Sequence, residues 1–114
     1  MYWAKYRIRY LRAWREAVES IVKALRDLDV KAEVYVIGGA AENRLTVLSD
    51  VDVLICLKEP IKPEEVWNLR KKIVARAMDH HNLPWDYPIE LHVYDLEGCR
   101  EVLKRCRKYL TLHA

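Results

Sequence analysis

At 114 residues and 52% hydrophobic content, the chain has enough apolar material for one compact core, and its length predicts a single domain spanning residues 1–114. A formal charge of +3, with 20 basic residues set among 17 acidic ones, is too mild for a general nucleic-acid binder. No run approaches the roughly 18 apolar residues of a membrane span, and the charged start at Lys5 and Arg7 is followed by no secretory core, so the expected location is the cytoplasm.

From Trp3 to about Leu28, apolar positions Trp3, Tyr6, Tyr10, Trp14, Val18, Ile21, Leu25 and Leu28 recur every three or four residues without Gly or Pro. The spacing predicts a long amphipathic helix ending near Asp29. Glu33 to Ile37 is a β-branched and aromatic run stopped by Gly38, a first strand. Ala40 to Leu48 reads as a short turn-and-helix connection, and Asp50 to Leu57, alternating acid and aliphatic before becoming wholly apolar, as a second strand.

Pro63-Glu64-Glu65 places a proline and two acids where a first helical turn accepts them, and Val66, Leu69, Ile73, Val74, Ala77 and Met78 form one face up to about His80. Ile89 to Tyr94 alternates strictly as a third strand, with Glu90 and His92 on one face. Glu97 to Leu110 carries Val102, Leu103, Cys106, Tyr109 and Leu110 at helical spacing. The order predicts an α/β (α+β) fold: a small mixed sheet of three or four strands with helices packed on one face and the other face open. Val51, Val53, Ile55, Leu57, Leu91 and Val93 should then point inward, leaving Asp50, Asp52 and Glu90 on the open side.

The most informative stretch is residues 38–55, where Gly38-Gly39 closes an apolar strand and Ser49-Asp50-Val51-Asp52 opens the next. Carboxylates at i and i+2 of an extended chain share a face, and two adjacent anions call for a divalent cation such as Mg²⁺, which carboxylates hold while it takes up phosphate oxygens. A glycine pair lets backbone N–H groups approach a phosphate closely. Metal together with a phosphate cradle implies phosphoryl or nucleotidyl chemistry.

An apolar strand, Gly-Gly, then Ser-Asp-Val-Asp with ten residues between Gly39 and Asp50, and Glu90 inside Pro88-Ile89-Glu90-Leu91-His92-Val93, resembles the minimal nucleotidyltransferase branch of the DNA polymerase beta superfamily. The likeness covers roughly residues 15–95. It implies two Mg²⁺ ions shared by Asp50, Asp52 and Glu90, with Gly38, Gly39 and Ser49 on the triphosphate and ATP as the expected donor of a nucleoside monophosphate. It also implies a partner, because minimal members are often paired with a small helical protein of the HEPN type that they adenylylate as toxin and antitoxin. The loop departs from the family pattern where Gly39 replaces a serine, Glu42 lies near an arginine position and Asn43 replaces a glycine. Glu42 would repel a triphosphate unless Arg44 compensates it. The alternative is a module of the same fold that binds nucleotide or partner without turnover.

Other residues carry blander expectations. His92 is either a hydrogen-bonded strand histidine or a contact of nucleotide, metal or acceptor. His80-His81 are adjacent and diverge on a helix, so an interaction with the helix C-terminus is expected rather than a metal pair. Cys56, Cys99 and Cys106, without C-x-x-C spacing, read as core or helix thiols. The first fifteen residues hold five aromatic and five basic residues before Glu16 ends the run, which suits a buried helical stripe, a protein interface such as a homo-oligomer, or, less well, RNA. Glutamine is absent and charged residues reach 32%, a bias that resembles hyperthermophile proteins.

Overall fold

In the computed structural model, which describes residues 9–46 and 48–112, the elements run α1 (Trp14–Asp27), β1 (Ala32–Ile37), α2 (Gly38–Ala41), β2 (Val51–Leu57), α3 (Pro63–His80), β3 (Ile89–Asp95), α4 (Leu96–Lys104) and β4 (Leu110–Leu112). The sheet order is β3-β2-β1-β4. β1 is antiparallel to both β2 and β4, whereas β2 and β3 are parallel and therefore need a crossover, which α3 supplies.

Local chemistry sets these boundaries. Asp29 at φ 55° turns the chain out of α1, with the Val30 N–H donating back to the Leu25 carbonyl at 3.0 Å. Asn82 at φ 60° does the same after α3, both residues tolerating the left-handed region better than most. Pro63 sits in the first turn of α3 with Glu64 and Glu65 beside it. The Asp95 carboxylate caps α4 by accepting from the Gly98 N–H at 2.7 Å.

The main core lies between one sheet face and helices α1 and α3. Val34, Val36, Val51, Val53, Ile55, Leu91 and Val93 meet Val18, Ile21, Val22, Leu25, Ile73 and Ala77, in keeping with the strand alternation. The mixed sheet and its helices match the expected fold class, but the second face is only half open. Leu54 and Cys56 are fully buried there beneath α4, packed with Cys99, Leu96, Val102 and Leu103. An amphipathic helix leaving the C-terminal end of β3 folds back over that half.

Three expectations are corrected. The first helix breaks at Ala13: residues 9–12 are helical, Ala13 is a turn and α1 restarts at Trp14; Trp3 and Tyr6 lie outside the described residues. The last helix stops at Lys104, and Leu110 begins a strand whose Leu110 and Leu112 pair with Val36 and Val34. The open edge of β1 offers backbone partners that helical spacing alone could not reveal. Cys56 and Cys99 are joined in a disulfide across 43 residues, leaving Cys106 as the free, half-buried thiol.

Candidate active site

β2 emerges from the loop after α2 with Asp52 as its second residue, on the face opposite the main core. The parallel register sets Asp52 beside Glu90 and Leu54 beside His92, so that β3 brings its two polar residues to the same uncovered half. One donor atom each from Asp52, Glu90 and His92 lie within 4.8 Å of one another. The His92 Nε2 is 3.0 Å from Asp52 Oδ1 and 4.0 Å from Glu90 Oε2. The hydrogen bond to Asp52 raises the His92 pKa above its ordinary value, with the charges of Asp52 and Glu90 adding to it; partial burial and the Arg70 guanidinium oppose the rise.

Gly38 closes this site from the β1 side. Its φ of +68° is a conformation that side chains rarely adopt, and a Cβ there would come within 2.7 Å of Asp52 Oδ2. The glycine thus makes room for the carboxylate as the chain turns from β1 into α2. Gly39 is less constrained, since an added Cβ would only touch the Arg44 carbonyl at 3.5 Å.

The remaining sequence-derived candidates are placed differently. Asp50 is exposed and precedes β2, so the strand pleat does not direct it, and it lies outside the cluster of Asp52, Glu90 and His92. Ser49 closes its own loop: its Oγ accepts from the Thr46 N–H at 2.9 Å and lies 3.2 Å from Thr46 Oγ1. Glu42 pairs with Arg44 at 3.0 Å, the compensation its position called for if a triphosphate is to bind nearby, and that hydrogen bond lowers its pKa. His81 caps α3 and pairs with Asp27 at the end of α1, a structural tie rather than a metal pair.

The donor set of two carboxylates and one imidazole fits a divalent cation. Asp52 and Glu90 suit a hard ion such as Mg²⁺, and the imidazole orients Asp52 through its hydrogen bond to Oδ1. Arg70 on α3 is the residue that sequence reasoning missed; it reaches the cluster electrostatically, and only the fold of α3 against β3 brings it near.

The family model described as nucleotidyltransferase domain matches residues 18–109. Among solved structures, the chain is similar to a candidate nucleotidyltransferase from Sulfolobus solfataricus at 23% identity and a TM-score of 0.54, covering 92% of this chain and 80% of that one; the likeness is one of fold. A second candidate nucleotidyltransferase is 24% identical with a TM-score of 0.47, over 89% of this chain and 98% of the other. No protein of curated function matches the sequence.

Proposed function

The chain belongs to the nucleotidyltransferase domain family, and from that premise we propose that it transfers AMP from ATP, with Mg²⁺, to an acceptor hydroxyl, releasing pyrophosphate. The observation that carries this reading is Asp52 and Glu90 side by side across the parallel β2–β3 pair, with Gly38 packed against the Asp52 carboxylate. In this proposal Asp52 and Glu90 would hold the cation, with Asp50, just before β2, as a further ligand. Bound Mg²⁺ would supply charge stabilisation at the phosphorus under attack.

The chain's own residues have distinct tasks. His92 holds the Asp52 carboxylate in one orientation. Glu90, the more exposed acid at 47% against 28% for Asp52, faces the approaching acceptor and can take its proton. Gly38 and Gly39 leave the backbone at the start of α2 open to a triphosphate. Ser49 shapes the loop before β2 and thereby positions Asp50. The neutralised Glu42 removes one objection to an anionic ligand here.

A HEPN-type helical protein is the partner we propose as acceptor, in the cytoplasm. No helix among the described residues is long and apolar enough to cross a membrane. The Cys56–Cys99 bridge together with the charge-rich, glutamine-free composition supports a hyperthermophile source, since intracellular disulfides persist there.

Incubation of the protein with α-labelled ATP, Mg²⁺ and a cell extract tests the reading. Label carried to a component of the extract, and lost with Asp52→Ala, is the expected result. Nucleotide binding without transfer to any component would replace it with the non-catalytic module of the same fold.

A further inference from the structure

β3 is an edge strand, and it carries Glu90 and His92. The Val51 N–H donates to the Pro88 carbonyl at 2.8 Å, so in the parallel ladder the even-numbered residues of β3 turn their backbone groups toward β2. The N–H and C=O groups of Leu91 and Val93 therefore point outward, and among the described residues neither forms a backbone hydrogen bond outside the ladder. An open strand edge of this kind is a template for another extended chain.

Alongside that edge runs a groove of about 450 Å³ between α3 and β3, floored by Val74, Met78, Ile89 and Leu91. Trp67, 63% exposed, stands at its rim with the Lys71 ammonium 3.9 Å from its ring centre. Arg70 lines the same groove and has no carboxylate partner among the described residues. Glu90 belongs both to this groove and to the Asp52–Glu90–His92 cluster.

We propose that the acceptor protein, helical or not in its body, presents a segment in extended conformation that adds to the edge of β3 and so delivers a side-chain hydroxyl to the Asp52–Glu90–His92 cluster. The geometry follows from strand pairing. A residue opposite Glu90 on an added strand has its Cβ about 5 Å from that of Glu90 and on the same face. A serine, threonine or tyrosine there reaches the cluster, while its neighbours in sequence point the other way, into the apolar groove. Arg70 and Lys71 favour acidic residues flanking the hydroxyl. The recognised pattern is apolar, hydroxyl, apolar, with acid nearby. RNA would match the two cations and Trp67 but would leave the apolar floor and the outward-facing peptide groups unused.

This proposal rests on the transferase reading for its chemical step. The acceptor hydroxyl oxygen bonds to the α-phosphorus of ATP, the bond from that phosphorus to the oxygen bridging to the β-phosphate breaks, pyrophosphate leaves, and the hydroxyl proton passes to Glu90 and then to solvent. No oxidant or reductant is involved.

The test uses the full chain, isotopically labelled for NMR and loaded with Mg²⁺ and a non-hydrolysable ATP analogue. The probe is a short peptide alternating valine with serine and tyrosine and ending in acidic residues. Amide shifts confined to residues 89–93 and the groove face of α3 are expected, with affinity reduced roughly tenfold by Ala75→Trp, which fills the groove, and by Lys71→Glu. Both sites are exposed, so these variants retain the fold. With ATP in place of the analogue, label should pass to the peptide hydroxyl. Shifts elsewhere, no shifts, or concentration-dependent pairing of two copies through β3 would overturn the proposal. Label passing to an RNA oligonucleotide without perturbation of β3 overturns it while leaving the transferase reading intact; peptide bound at β3 without ATP binding would instead keep the docking site and remove the transferase reading.

Discussion

Two halves of one sheet face lie along the same strand and could hardly differ more. Asp52 and Leu54 are two residues apart on β2 and point the same way, yet Asp52 keeps 28% of its side chain exposed while Leu54 and Cys56 keep none. α4 is the difference: it covers the half that holds Leu54 and Cys56 and stops short of the half that holds Asp52, Glu90 and His92. A carboxylate under that helix would be stripped of water without a partner, a cost of several kcal/mol, at least roughly, even with relaxation. The uncovered half is therefore where acids can gather for a cation, and the covered half is where the strand is anchored.

That division can be tested by uncoupling activity from stability. The largest effect is expected from Asp52→Asn, which should reduce nucleotidyl transfer on the order of 10³-fold, as removal of a principal charge-stabilising group does. Thermal unfolding of the same variant should change little, because Asp52 keeps contact with water and an amide occupies the same space; equal losses in both would erase the distinction. On the covered side, Cys99→Ala opens a loop of 43 residues, and chain entropy gives about 4 kcal/mol of stability lost, on the order of 15 °C in Tm. Calorimetry of oxidised and reduced protein checks it, and a reduced wild type as stable as the oxidised one would sink it.

Gly38→Ala sits at the border of the two effects. The left-handed backbone costs about 1–2 kcal/mol with a Cβ. The added carbon also displaces the Asp52 carboxylate, so Mn²⁺ affinity, read by calorimetric titration, should fall roughly tenfold. Unchanged metal binding would mean that Gly38 serves the turn alone. The smallest effect is expected at Asp27, remote from both halves, where hydrogen bonds from Arg76 first and His81 second hold the carboxyl below its ordinary pKa. A lowered folded-state pKa contributes stability that is present above the unfolded value of about 3.8 and is lost as pH falls through the folded value. Asp27→Asn should therefore flatten acid unfolding in that window, in a circular-dichroism titration, without touching transfer.

Much of this was legible in the residues. Period-2 alternation placed Val51, Val53, Ile55, Leu91 and Val93 in the main core, and the same alternation put Asp52, Glu90 and His92 together on the other side. Asp50 shows the limit of that rule, since alternation directs a side chain only within the strand and β2 starts one residue later. Leu110 looked helical because a few apolar positions are compatible with either period, and the edge of β1 decided it. The bridge between Cys56 and Cys99 could not be read from spacing, since 43 residues separate partners that only folding brings together.

By itself, then, the sequence determined which residues face inward and that two acids on separate strands share a face, because both are properties of a strand's own periodicity. The tertiary structure decided which parts of that face stay in water. The parallel register of β2 and β3 set Asp52 against Glu90, the turn at Gly38 made room for the carboxylate, and α4 closed over Leu54 and Cys56. Register, close approach and burial are relations between segments distant in sequence, and no local pattern encodes them.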